Sequence, residues 1–215
     1  SGTVQTLRTA ARESPIPVRV LDTRTVAAAQ AAVVAAALAA ARTGADVDRV
    51  LEAAQVALEA TQLLFWVPSL EQLGRSGRVP RALARVGQMR HVKPIATVEQ
   101  GRLRYLERPR QEGPAVQRFT ELVAQGAARA VLADAAARGV PDEQGRAVCL
   151  IQDFWGREVP ERLHHRLEEK LGDRVRVVRA DLPAALAVHT GLGPTAAASI
   201  PGHLAGVLAD PAPDA

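Results

Sequence analysis

Two hydrophobic periods alternate along this chain, and the points where one gives way to the other predict its elements. Val18-Arg19-Val20-Leu21-Asp22 switches between apolar and charged at each residue behind Pro15 and Pro17, which predicts a strand. From Thr25 to Arg42 an alanine-rich run of high helix propensity predicts a helix stopping near Gly44, and Asp46 opens a second helix reaching about Gln62. Leu63-Leu64-Phe65-Trp66-Val67 is a short unbroken apolar run closed by Pro68, the pattern of a strand covered on both faces, after which Ser69 caps a brief helix. A further short helix is expected after Gly77 and Pro80. Two extended runs follow, Pro94 to Val98 and Leu103 to Glu107, joined as a hairpin at Glu99-Gln100-Gly101-Arg102.

The second half continues the alternation. Gln111 to Arg138 reads as a long helix closed by Gly139 and Pro141, Ala147 to Gln152 as a strand, and Val159 to Leu171 as a helix. Val175 to Arg179 and Leu186 to His189 complete the predicted strands, and a last helix is expected from Pro194 to about Leu208, ahead of a frayed tail. Such a succession predicts an α/β fold with helices on both sides of a largely parallel sheet and a second lobe containing an antiparallel hairpin. The expected division is a partial N-terminal α/β lobe over 1–68 and a C-terminal α/β lobe with the hairpin over 69–215, its last helix packing back on the first lobe.

Composition narrows the function classes. The 215 residues, 47% hydrophobic, suffice for one large domain or two small ones. The 27 basic residues against 23 acidic ones give a charge of +4, but they are interleaved with Asp and Glu, and aromatics make up only 3%. Neither a basic face nor stacking platforms emerge, so no nucleic-acid partner is expected. Cys149 sits alone in the apolar run Ala147-Val148-Cys149-Leu150-Ile151 and reads as a small buried hydrophobe. Without a disulfide framework or a signal-peptide pattern the expected location is cytoplasmic. The apolar stretch from Val26 to Ala41 is alanine-dominated and short of a bilayer span, so membrane contact is expected to be transient at most. The opening Ser1-Gly2-Thr3, without an initiator methionine, points to processing or truncation upstream.

Candidate chemistry is sparse. His164 and His165 point to different sides of a helix and predict no metal site. Gly191-Leu192-Gly193-Pro194 has neither the lysine of a phosphate-binding loop nor a dinucleotide fingerprint, so no cofactor is expected. His189 ends an apolar run and precedes two glycines and a predicted helix start. Imidazole, backbone N–H groups and the positive end of a helix could therefore converge on an anion.

In order, these segments resemble the DegV family of bacterial fatty-acid-binding proteins. The resemblance rests on Phe65-Trp66-Val67-Pro68-Ser69-Leu70-Glu71-Gln72-Leu73, then Gly74-Arg75-Ser76-Gly77-Arg78, then Lys93-Pro94-Ile95 and the hairpin, with Ser1-Gly2-Thr3 and His189-Thr190-Gly191-Leu192-Gly193 at the ends. Val4 and Leu192 depart from the family's usual aromatic and proline. The resemblance implies a long-chain fatty acid held between two lobes, its carboxylate bound by Ser1, Thr3, His189 and Thr190 and its acyl chain lined by Phe65, Leu70 and Ile95. It further implies that Arg78 and Arg110 dock on a fatty-acid kinase subunit that phosphorylates the presented acid. The chain is then a carrier and not an enzyme.

Two other readings stay open. The chain could be a truncated relative that keeps the fold without the ligand and serves a structural or interaction role, because family members carry strands upstream of the Ser-Gly-Thr motif. Ser1, His189 and an Asp such as Asp22 or Asp153 also supply the residue types of a hydrolytic triad, although no Gly-x-Ser-x-Gly elbow occurs.

Overall fold

The computed structural model describes residues 2–77 and 91–209. The short helix expected after Pro80 lies outside the described residues. Six strands form one sheet: β1 (Gln62–Trp66), β2 (Ile95–Glu99), β3 (Arg102–Glu107), β4 (Ala147–Asp153), β5 (Val175–Asp181) and β6 (Thr195–Pro201). Their order across the sheet is β3-β2-β1-β6-β4-β5. The helices are α1 (Gly2–Glu13), α2 (Ala27–Arg42), α3 (Val47–Ala60), α4 (Glu71–Arg75), α5 (Glu112–Arg138), α6 (Glu158–Leu171) and α7 (Ala184–Thr190).

The α/β class holds, but the sheet is mixed and not largely parallel. Only β4 and β5 run parallel, joined through α6, while β6 is antiparallel to both β1 and β4. The reason lies in one stretch, residues 184–201. Leu186 to His189, expected as a strand, is part of the short helix α7, and the expected last helix begins instead as β6, which enters the middle of the sheet in the reverse direction. The hairpin β2–β3 extends the same sheet through β1. Its turn is the two residues Gln100 and Gly101, both at positive φ (51° and 74°), the conformation that matches the twist of the flanking strands.

Alternation along the strands builds two cores. Leu64, Trp66, Ile151 and Ala197 pack under α5 and α6 with Phe119, Val123, Leu163 and Leu167. On the opposite face Leu63, Leu150, Ala198 and Ile200 meet Ala28, Ala29 and Ala32 of α2. A third cluster, Val67, Leu70 and Leu73, sits at the hairpin end with Phe65 and Tyr105 against it.

Buried Asp134 of α5 ties the end of β6 to the helix layer. Its carboxylate accepts from the backbone N–H groups of Arg146 (2.8 Å) and His203 (2.7 Å), from His203 Nδ1 (2.9 Å) and from Arg138 (3.2 Å). Burial alone would raise its pKa, but these four donors outweigh that and hold the carboxyl below the ordinary aspartate range.

Val18 to Asp22 alternates as expected yet forms no strand, because no neighbouring strand pairs with it among the described residues. Helix α1, for which no element was expected, has no buried residue. Among the described residues no helix is long and apolar enough to cross a membrane.

Candidate functional site

A cavity of about 740 Å³ opens on the α2 side of the sheet. Its floor comes from Phe65 of β1, Val67 just beyond that strand and Ala196 of β6, and its walls from α1 (Val4, Leu7), the hairpin (Val98, Leu103) and the β5–α7 corner (Leu182, Leu186). The volume falls within the roughly 300–1,000 Å³ of small-molecule sites. The polar residues of the lining include Thr3, Asp22, Arg24, Gln30, His189 and Thr190.

Of the residues singled out by sequence, Thr3, Phe65, His189 and Thr190 are thus brought together on one cavity. Leu70 (2% exposed) and Ile95 (0%) are fully buried and do not line it: Leu70 belongs to the hairpin-end cluster and Ile95 to the core under α5. Arg110 is exposed beyond β3, away from the lining. Ser1 and Arg78 lie outside the described residues.

His189 supplies the most telling atom. Its Nδ1 is buried without a hydrogen-bond partner, and a buried polar atom left unpaired is costly unless something fills the site. Its setting differs from the expected one. His189 lies in the last turn of α7, near the negative end of that helix, and Gly191 and Gly193 (φ 81° each) turn the chain into a strand and not into a helix start. The loop amides are also committed: Gly191 N–H donates to the Ala187 carbonyl and Gly193 N–H to the Phe154 carbonyl, both at 2.8 Å. Thr190 donates its hydroxyl to the Leu186 carbonyl at 3.2 Å.

A helix start does face the cavity, but it is that of α2. Thr25, Val26 and Ala27 line the cavity, Val26 offers no side-chain cap, and the first amide bonded back along the helix is that of Gln30 (to Val26, 3.3 Å). The N–H groups of the first turn therefore give this side of the cavity a partial positive charge. Ala27 itself is held at φ 53°, a conformation that a Cβ disfavours.

Other candidates resolve into structure. Lys93 donates to the Pro68 carbonyl at 2.7 Å and fastens the hairpin entry. His164 and His165 face Glu168 and Glu169 at 3.3 and 3.4 Å. Complete burial pushes the Cys149 thiol up to about 12, leaving it a neutral hydrophobe. Among the described residues no group of three or more His, Cys, Asp or Glu side chains is placed to hold a metal ion.

The family model for uncharacterised proteins of the DegV family matches residues 1–202. The chain belongs to the DegV family. A DegV domain-containing protein of Streptomyces coelicolor is 39% identical over 127 residues, 59% of this chain and 45% of the relative. Over that match the chain spans less than half of the relative's length. Among solved structures, a DegV family protein of Corynebacterium glutamicum superposes with a TM-score of 0.77 at 24% identity, covering 93% of this chain and 70% of the other. A fatty-acid-binding DegV family protein of Thermus thermophilus gives a TM-score of 0.71 at 25% identity, covering 94% and 67%. The DegV fold therefore accounts for the described residues.

Proposed function

We propose that this DegV protein binds one long-chain fatty acid in the cavity, the tail against Phe65, Leu103 and Leu186 and the carboxylate toward His189, Thr3 and the first turn of α2. The buried, unpartnered Nδ1 of His189 at the edge of an apolar cavity carries the reading. An acyl chain needs an apolar slot, and its desolvated head group needs a few donors. The Thermus relative supports the ligand class. Ser1, one residue before α1, and Thr190 are proposed to complete the head-group site.

No catalytic role is assigned to the chain. Hydrolysis by a triad would need a carboxylate on His189 Nδ1. That atom has no partner, Asp22 engages Arg24, and Asp153 engages Gly156 and Arg179. The bound acid is instead presented, in the cytoplasm, to a partner kinase, with Arg78 and Arg110 as docking residues. Residues 1–68 and 69–215 share one sheet through β1, and both segments contribute to the cavity wall.

The test is a fatty-acid binding titration of the full chain. His189→Ala is expected to weaken binding about ten-fold, the loss of one charge-assisted hydrogen bond, while Arg110→Ala leaves binding unchanged and weakens coupling to the kinase. Equal affinity of His189→Ala and wild type would remove the head-group assignment.

A further inference from the structure

The cavity shares part of its lining with a second groove. That groove, of about 720 Å³, lies toward α3, with Gln55, Glu59 and Thr97 among its lining, and it shares Asp22, Thr23, Arg24, Thr25, Val98 and Gln100 with the ligand cavity. The residues common to both come from the loop before α2 and the tip of the hairpin.

These two pieces are far apart in sequence and are joined by two hydrogen bonds at Arg24. Arg24 Nη1 donates to Gln100 Oε1 at 2.8 Å, and Gly101 N–H donates to the Arg24 carbonyl at 2.9 Å. Arg24 is turned into position locally as well, its N–H reaching Asp22 Oδ1 at 3.3 Å. Both side-chain partners stand at φ 51°, a left-handed conformation disfavoured for residues with a Cβ. Strain of this kind persists only where surrounding contacts over-determine it, and it concentrates at clamps and switches. With Ala27, three of the four non-glycine residues at positive φ among those described line the cavity.

We propose that the Arg24–Gln100 contact is a latch that keeps the fatty acid in its cavity, and that ligand leaves when the loop before α2 parts from the hairpin tip and the two spaces join. This rests on the carrier reading above. Opening breaks one side-chain and one backbone hydrogen bond and lets Arg24 leave its strained conformation, while the φ of Gln100 stays set by the hairpin turn, so the latch is closed at rest and inexpensive to open. Without it, loop and hairpin are held together by the backbone bond from Gly101 to Arg24 alone, and ligand residence falls.

The test is stopped-flow release of a dansyl-labelled undecanoic acid from the full chain into excess phosphatidylcholine vesicles. Arg24→Gly and Gln100→Gly each remove the side-chain bond while easing backbone strain, so neither variant is expected to melt below wild type. Each is expected to release the probe about five-fold faster, and the double variant no faster than the single ones, because all three lack the same hydrogen bond. Wild-type release rates in both single variants, or effects that multiply in the double, overturn the latch while leaving the carrier intact. A wild-type chain that takes up no probe overturns the carrier reading and the latch with it.

Discussion

Helix α2 and strand β6 are built from nearly the same side chains, Ala-Ala-Ala-Gln-Ala-Ala-Val-Val in one and Thr-Ala-Ala-Ala-Ser-Ile-Pro in the other, yet they occupy different layers of the molecule. In α2 the alanines form a stripe, Ala28, Ala29, Ala32, Ala35 and Ala36, and the opposite side leaves Val34 and Leu38 exposed. In β6 all seven residues are buried, paired with β1 on one side and β4 on the other. Small side chains there let helices approach the sheet from both faces. Ala196 and Ala198 lie under α2, and on the other side α5 comes so close that a Cβ added at Gly126 would stand 3.2 Å from Ser199 Oγ. Alanine in α2 is chosen by the helix, whereas alanine in β6 is chosen by its neighbours.

Three substitutions test that contrast. The largest effect is expected where β6 is pegged to α5: Asp134→Asn puts an NH2 donor in place of one of the two acceptor oxygens, against either the Arg146 N–H or the His203 donors, and should cost about 3 kcal/mol in a urea titration. The same carboxyl sets an acid limit. Its folded pKa lies below its unfolded value, so its contribution is complete above the ordinary aspartate range and is lost as pH falls through the folded value. An acid titration of Asp134→Asn should be flatter than that of wild type across that interval.

Ala198→Leu comes next, at about 2 kcal/mol, because a fully buried strand position between layers has no room for three more carbons. The smallest effect belongs to the exposed end of α2, where Ala41→Gly should cost about 1 kcal/mol, the intrinsic helix preference and little more. If Ala198→Leu were milder than Ala41→Gly, the two alanine runs would not differ in the way described.

The same contrast explains what could be read from the chain. Elements with their own local signals were legible: α3 with Asp46 accepting from Arg49 N–H at 2.9 Å, the hairpin at Gln100-Gly101, and long α5 ending at Gly139. Where the decision belongs to distant neighbours, periodicity failed. Ala184–Thr190 is too short for a 3.6-residue period to show itself, Thr195–Pro201 carries helix-forming alanines, and Val18 to Asp22 alternates without a partner. Val4 and Leu7, three apart on α1, were the available signal for that helix.

The candidate site divides in the same way. His189 and Phe65 were recognisable as residue types within motifs. The cavity itself, with Leu103, Leu182 and the uncapped start of α2, exists only because segments more than a hundred residues apart converge.

Native mass spectrometry of the gently purified chain tests the central claim most directly. The account predicts one bound mass of a long-chain fatty acid per chain, restored by added free fatty acid after delipidation and held less well by His189→Ala. A chain that is empty as purified and stays empty in excess fatty acid would contradict it.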